Sequence, residues 1–368
     1  MLSADDALAG RLQALVDRLA SRKRIPHAIL GLASGDGPLR WIGASGPARP
    51  DGTPMRPDTP YMLASVTKLY IGTTILQLYE RGEVDLDAPI TAYLAVDRVA
   101  GLHRLGGVDH TSRITVRHLL GHTSGLPDYL EDRPSDGRRI YEEIEDGVDR
   151  SWTFDDVIEI ARGMRPRFEP QDLSAGRQKA RYSDTGFQLL LMIIESVAGR
   201  PFYEVFEEGL FRPFGLRHTW VPGRSEPLDP PPDDPAAVWA KGRPIHIPKA
   251  MASTNDLMGT ADDTLRFMGA LTRGEVFQDP ATYRLMHERW NRIFYPMRYG
   301  LATMRYRVPK LFGPGRRAVT LVGHSGTTGS WLLHCPELDL VLTGTVDEAS
   351  ARAVPFRFLP RVLKALQG

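Results

Sequence analysis

The position of the strand-like runs constrains the fold of this chain more than any other feature. Two short runs, Ala28 to Ala33 and Leu39 to Gly43, lie near the beginning, parted by the turn sequence Ser34-Gly35-Asp36-Gly37-Pro38. Four more recur at hairpin spacing near the end: Tyr299 to Val308, Arg317 to Val322, Ser330 to Cys335 and Leu338 to Val346, with Pro336-Glu337 as a tight turn. Helical spacing brackets both groups, over residues 3–21 (Leu12, Leu15, Val16, Leu19) and about 350–366. From about 83 to 290 short helical segments alternate with long loops, and Phe187 to Val197 and Thr260 to Leu271 are the clearest helices. The strand–helix alternation of a parallel sheet is missing. This order predicts an α+β chain, with an antiparallel sheet built from both chain ends, helices flanking it, and a mainly α-helical second lobe. The expected division is 1–75 with 295–368 for the sheet lobe and 76–294 for the helical lobe. Gly at 35 and Pro at 29 residues are a high share and predict a loop-rich build. The Pro-Pro-Pro-bearing stretch 222–248 is expected to form a lid-like loop that shapes the pocket.

Composition removes several function classes. At 42% hydrophobic and 25% charged, the 368 residues match ordinary folded chains, which excludes disordered, collagen-like and fibrous readings. The 46 basic and 45 acidic residues leave +1, so the chain as a whole offers no electrostatic basis for binding nucleic acid or an anionic membrane. One cysteine, Cys335, cannot form an internal disulfide. The acidic, polar start Met1-Leu2-Ser3-Ala4-Asp5-Asp6 lacks the charged-then-apolar design of a signal peptide. No apolar run approaches the roughly 18 residues that span a bilayer. These features predict a cytoplasmic protein, periplasmic only if a leader has been removed.

Chemistry enters at Ser65-Val66-Thr67-Lys68. From Ala64 to Arg81 the apolar positions Leu69, Ile71, Ile75, Leu76 and Leu78 fit one helix that stops at Gly82. Residues three apart share a helix face, so the Ser65 hydroxyl and the Lys68 ammonium can meet. A serine near a helix N-terminus also has exposed N–H groups nearby for a developing oxyanion. By itself S-x-x-K is common, and for this motif alone a Ser cap with a solvated Lys is the better explanation. Two further motifs change the weighting: Tyr182-Ser183-Asp184 before a good helix, and His324-Ser325-Gly326 before the strand Ser330 to Cys335.

With these three elements in this order, the chain resembles the serine β-lactamase and penicillin-binding protein superfamily. It is most similar to the branch shared by class C β-lactamases, D-alanyl-D-alanine carboxypeptidases, D-stereospecific aminopeptidases and β-lactamase-like esterases. Leu119-Leu120-Gly121-His122-Thr123-Ser124-Gly125-Leu126 and the segment Ser253 to Met268 add to the likeness, which extends over nearly the whole chain. The resemblance implies a β-lactamase/transpeptidase-like fold with the site between its lobes. It implies that Ser65 is the acylated nucleophile, Lys68 its electrostatic partner, and Tyr182 the base that takes the Ser65 proton and returns it to the leaving group. The backbone N–H groups of Ser65 and Thr327 would form the oxyanion hole, beside Gly326. His324 stands where many relatives carry Lys.

A free Tyr, of pKa about 10, is a poor base at neutral pH, so neighbouring cations are required, and Lys68 with His324 are the expected suppliers. Two departures from the family pattern bear on substrate. Asp184 replaces the Asn that usually ends Y-x-N; an ionised Asp only accepts hydrogen bonds, and it should hold Lys68 charged. His324 can be neutral near pH 6.5, which would leave a β-lactam carboxylate without a permanent cation. Both push away from a dedicated β-lactamase, towards a serine hydrolase that cleaves a carboxylic ester or a small amide or peptide bond through an acyl-enzyme on Ser65. The alternatives are an acyltransferase using the same acyl-enzyme, a β-lactamase or penicillin-binding carboxypeptidase, and, lower, a non-catalytic ligand sensor. No metal or organic cofactor is called for, the expected partner is a small-molecule ester, amide or peptide, and oligomeric state is left open.

Other candidates have plainer readings. His118 and His122 have zinc-helix spacing but lack the intervening Glu and a third ligand. A G-x-S-x-G elbow is absent, since Thr327 follows Gly326. Cys335 reads as a buried hydrophobe, and Glu142, Glu143 and Glu145 as a solvated helix face. Trp331 is core or pocket wall, and Tyr129 and Trp239 lie on loops that could reach the cleft.

Overall fold

A computed structural model describes residues 6–35, 37–135 and 137–366. The first residues of the expected N-terminal helix and Asp36 of the first turn lie outside the described residues. The amphipathic start forms α1 (Asp6–Ala20), which buries Leu12, Val16 and Leu19. It leads into β1 (Ala28–Ser34) and β2 (Arg40–Ser45). Next come the buried helix α2 (Thr67–Glu80), α3 (Asp184–Ala198), which ends on the left-handed Gly199, and α4 (Ala261–Thr272), capped by the Thr260 side chain. The remaining strands of the main sheet are β3 (Asn291–Phe294), β4 (Met297–Tyr299), β5 (Met304–Val308), β6 (Val319–Ser325), β7 (Trp331–Cys335) and β8 (Leu340–Thr345), and the last described helix is α5 (Val354–Ala365).

These strands make one eight-stranded antiparallel sheet in the order β2-β1-β8-β7-β6-β5-β4-β3. The N-terminal hairpin therefore sits beside the last strand, as an antiparallel sheet assembled from both ends requires. Alternation along the strands sends Leu30, Leu32, Leu333 and Leu342 to one face, against α1 and the Phe358, Leu359 and Val362 side of α5. Ile29, Leu332 and Val341 face the other way, towards the core shared with α2, α3 and α4. Both faces are covered, so these strands read as nearly continuous apolar runs. Helix α4 comes close over β1 because Gly31 leaves room: a Cβ there would lie 3.3 Å from Leu265 and 2.7 Å from Thr343.

Several expectations need correction. The single strand read over Tyr299 to Val308 is two strands joined by a reversal at 300–303. Gly300 donates its N–H to Thr303 O at 2.8 Å, Ala302 takes φ +53°, and a Cβ on Gly300 would fall 2.0 Å from Met286 O. Asn291–Phe294, placed by sequence at the end of the helical lobe, is an edge strand of the sheet, and α4 also lies on the sheet. Segment 222–248 is strapped down. Ala236 N–H donates to Pro60 O, Ala237 N–H to Ala48 O and Trp239 N–H to Asp347 O, while Asp233 pairs with Arg49 at 3.0 Å. Trp331 packs in the core beside Phe358, and Cys335 is buried. Among the described residues no helix is long and apolar enough to cross a membrane.

Candidate active site

The chain enters α2 through a sharp bend. Ala64 adopts φ +47°, a left-handed conformation that is costly for a residue with a Cβ, and a single 3-10 turn, Ala64–Val66, precedes the helix. Leu63 pins this bend: its N–H donates to Leu257 O at 2.8 Å, and its carbonyl accepts from Ser330 Oγ at 2.8 Å. The bend leaves Ser65 at the helix start, 7% exposed. One turn on, the buried Lys68 Nζ donates to Ser65 Oγ at 3.2 Å and to Asp184 Oδ1 at 2.5 Å. Tyr182 Oη donates to Ser65 Oγ at 2.9 Å. The serine oxygen thus accepts from both partners, and residues 117 positions apart meet on one atom.

Burial disfavours the Lys68 charge, but Asp184 and, further off, Asp256 more than offset it and lift its pKa above the ordinary lysine value. Lys68 is therefore a held ammonium. Asp184 opens α3, where a negative charge also meets the positive end of the helix dipole. Tyr182 is moved in the unhelpful direction: burial, then the Asp184 charge, raise its pKa well above 10.0. In the free protein it is a phenol.

His324 is not the second cation. It is fully buried, and burial followed by Lys68 pushes its pKa down to about 3. Its Nδ1 lies 2.9 Å from the Ser325 carbonyl, which only accepts, so the proton is on Nδ1 and Nε2 accepts from Tyr299 Oη at 3.0 Å. The imidazole is turned into the protein, away from the cavity. The sequence pattern could not reveal this, because Tyr299 lies on a different strand.

Ser65, Tyr182, Asp184, Gly326 and Thr327 all line one cavity of about 380 Å³. Gly326 permits the approach of the end of β6: a Cβ would sit 2.2 Å from Ser330 Oγ and 2.9 Å from Ala64 Cβ. Among the described residues no protein acceptor takes the backbone N–H of Ser65 or of Thr327, so both are available to an oxyanion. Part of the lining is charged, with Asp128, Glu131, Arg181 and Arg352, and part is apolar, with Ile293, Phe294, Met304 and Phe356. No lining residue comes from 222–248, and Tyr129 and Trp239 do not line the cavity either. Each cavity arginine has a carboxylate neighbour: Arg352 pairs with Glu131 at 2.8 Å, and Arg181 shares Asp132 with Arg167, at 2.7 Å and 2.6 Å.

Two neighbours escaped the sequence reading. His122, taken there as half of a zinc decoy, has φ +56°, and its ring lies 4.4 Å from both Tyr182 and Tyr299. Its Nδ1 accepts the Ser183 N–H at 3.2 Å, which fixes the backbone beside Tyr182. The signal was the motif Leu119 to Leu126 itself, which shows that a His is there but not what it faces. His118 instead caps its own helix through Thr115 and meets Gln171 O. Asp256, raised to about 6 by burial with Lys68 opposing, adds an acid behind the ion pair; nothing in its local sequence marks it. No cluster of three or more metal-ligating side chains occurs among the described residues.

An antiparallel sheet with a Ser–Lys–Tyr constellation, its Ser and Lys buried and its Tyr partly so, at the junction with a helical layer defines an enzyme of the active-serine class. The sequence profile of the β-lactamase family matches residues 12–352, and the chain belongs to that family, as a serine hydrolase. It is 30% identical to esterase EstB of Burkholderia gladioli over 291 residues, covering 72% of this chain and 70% of that one. A D-stereospecific amidohydrolase from Streptomyces sp. superposes with a TM-score of 0.71 at 27% identity, over 95% of this chain and 96% of that one. The D-amino acid amidase of Ochrobactrum anthropi SV3 shares the fold, with a TM-score of 0.77 over 98% of each chain at 24% identity.

Proposed function

We propose that the protein cleaves a carboxylic ester or a small amide through an acyl-enzyme on Ser65. The observation that carries this is the single oxygen, Ser65 Oγ, held at once by Lys68 Nζ and Tyr182 Oη in the cavity that also contains Thr327. Lys68, kept charged by Asp184, lowers the energy of negative charge on Oγ as it attacks. Because Tyr182 has a raised pKa, it acts as a relay. Its hydroxyl turns from Ser65 to the leaving-group atom, its oxygen accepts the Oγ proton, and its own proton passes to the departing alcohol or amine. The Oγ–C bond forms, the C–O or C–N bond breaks, and no free phenolate accumulates. Water then enters and the same relay runs in reverse. The N–H groups of Ser65 and Thr327 receive the oxyanion.

Charge supports an uncharged substrate. His324 is neutral and faces Tyr299, and the lining sets Glu131 and Asp184 against Arg181 and Arg352, so the cavity offers no net positive charge to the carboxylate of a β-lactam. The names of the esterase and amidohydrolase relatives agree with this reading. The test is intact-protein mass spectrometry after a fluorophosphonate, a nitrophenyl ester and a penicillin, with Ser65→Ala and Tyr182→Phe alongside. A Ser65-dependent phosphonate adduct, fast nitrophenol release, slow penicillin turnover and a kcat about 100-fold lower in Tyr182→Phe are expected. Penicillin turnover as fast as ester cleavage overturns the substrate assignment, and an active Ser65→Ala protein overturns the mechanism.

A further inference from the structure

The edge of the sheet carries a concentration of charge that the net value of +1 conceals. On β4, Arg298 stands directly opposite Arg305 of β5 and is paired in register with Arg292 of β3, and Arg307 follows two residues after Arg305. Like charges opposite one another on a sheet are destabilising. Among the described residues no carboxylate lies within 4 Å of these four side chains to relieve them. Desolvation and the charges of Arg298 and Arg307 lower the pKa of Arg305, whose guanidinium rests over Trp290 at 4.8 Å. Three of the arginines, Arg298, Arg305 and Arg307, line a single depression with Glu337 as its one acid.

The second observation is apolar. The β3–β4 tip and the β5–β6 loop emerge at the same end of the sheet, because β4 begins beside the end of β5. Tyr295 at 83% exposed and Phe294 at 48% crown the first; Leu311 at 71% and Phe312 at 52% crown the second. Lys310, Arg316 and Arg317 surround the second tip and are exposed. Exposed apolar tips above an unneutralised cationic face match an interface that is anionic at headgroup level and hydrocarbon beneath. A soluble polyanion would satisfy the arginines but leave Leu311 and Phe312 in water.

We infer that this sheet end docks the protein on membrane surfaces rich in anionic lipid. Phe294 belongs both to the patch and to the apolar part of the cavity lining, so docking would bring the mouth of the site to the interface, where apolar esters partition. The inference does not rest on the proposed catalysis, since binding is read with Ser65→Ala as well.

The experiment is co-flotation with vesicles of phosphatidylcholine alone and with a third phosphatidylglycerol. Binding should be confined to the anionic vesicles, fall steeply with added salt, and weaken roughly 25-fold in Arg298→Gln/Arg307→Gln, at about fivefold per charge removed. Leu311→Ser/Phe312→Ser should weaken it too while its salt dependence remains. Both double variants should hydrolyse a soluble nitrophenyl ester at the original rate without vesicles, which also reports that they are folded. Equal binding to neutral vesicles, unchanged binding in the arginine variant, or capture by heparin with no vesicle binding would each overturn the inference.

Discussion

Replacing Lys68 by Met and Asp184 by Leu, singly and together, separates what the buried pair does for stability from what it does for chemistry. The two side chains are 4% and 11% exposed and in contact at 2.5 Å. Removing either partner from such a pair strands the other charge, at a cost of about 3–5 kcal/mol, whereas replacing both with apolar groups is close to neutral. In Lys68→Met, Asp184 is left among Asp128 and Asp256 with its cation gone. In Asp184→Leu, burial, already the largest single influence on Lys68, loses its main opponent, and the Lys68 pKa should fall from its raised value. Each single variant should therefore lose about 3 kcal/mol and the double no more than about 2 kcal/mol, a coupling of roughly 4 kcal/mol. Urea unfolding of the four proteins measures this, and in a chain of this size each single loss corresponds to a Tm about 4 °C lower. Activity should follow a different pattern, being absent from Lys68→Met and equally absent from the stable double variant. Single-variant losses that add to within about 0.5 kcal/mol would show that the two charges do not depend on each other. Hydrolysis by the double variant would remove Lys68 from the reaction.

Two further outcomes follow from the same geometry. Gly326→Ala should lower kcat by roughly 100-fold with a smaller change in KM, because the new Cβ must push Ser330 or Ala64 aside and displace the Thr327 N–H; steady-state kinetics on a nitrophenyl ester checks it, and unchanged kcat would mean that this N–H takes no part. Asp256, raised to about 6 from 3.8, binds its proton more tightly in the folded state. Its contribution is fully present below the unfolded value and is lost as pH rises through about 6. Asp256→Asn should therefore gain up to about 3 kcal/mol relative to the parent between pH 4 and pH 8; urea midpoints that shift in parallel across that range would refute the assignment.

The likeness between expectation and structure is uneven for physical reasons. Periodicity and turn residues are local, and they revealed α1, α3, α4 and the terminal strands. They could not find the reversal at 300–303, because Gly300 is demanded by Met286 O, a contact across the fold. They also missed Asn291–Phe294, a four-residue edge strand recognisable only by its pairing with β4. The segment 222–248 looked like a lid because its Pro and Asp content marks irregular chain, which composition cannot locate in space.

At the site, the three motifs and the family resemblance they carry singled out Ser65, Lys68 and Tyr182 as candidates, and a nucleophile with proton-handling partners uses few side-chain types. Charge state was not legible. Whether Lys68 is an ammonium, whether Tyr182 is a phenol and whether His324 is a cation depend on burial and on neighbours such as Asp184, Asp256 and Tyr299, which come from separate elements. The sequence by itself determined the fold class and, through its resemblance to a known family, the candidates for the reacting groups, because short-range pattern and functional-group chemistry are properties of the chain. Tertiary structure alone decided the protonation states, the turning of His324 away from the cavity and the gathering of arginines at one sheet end, because electrostatic energy depends on distance and desolvation rather than on order along the chain.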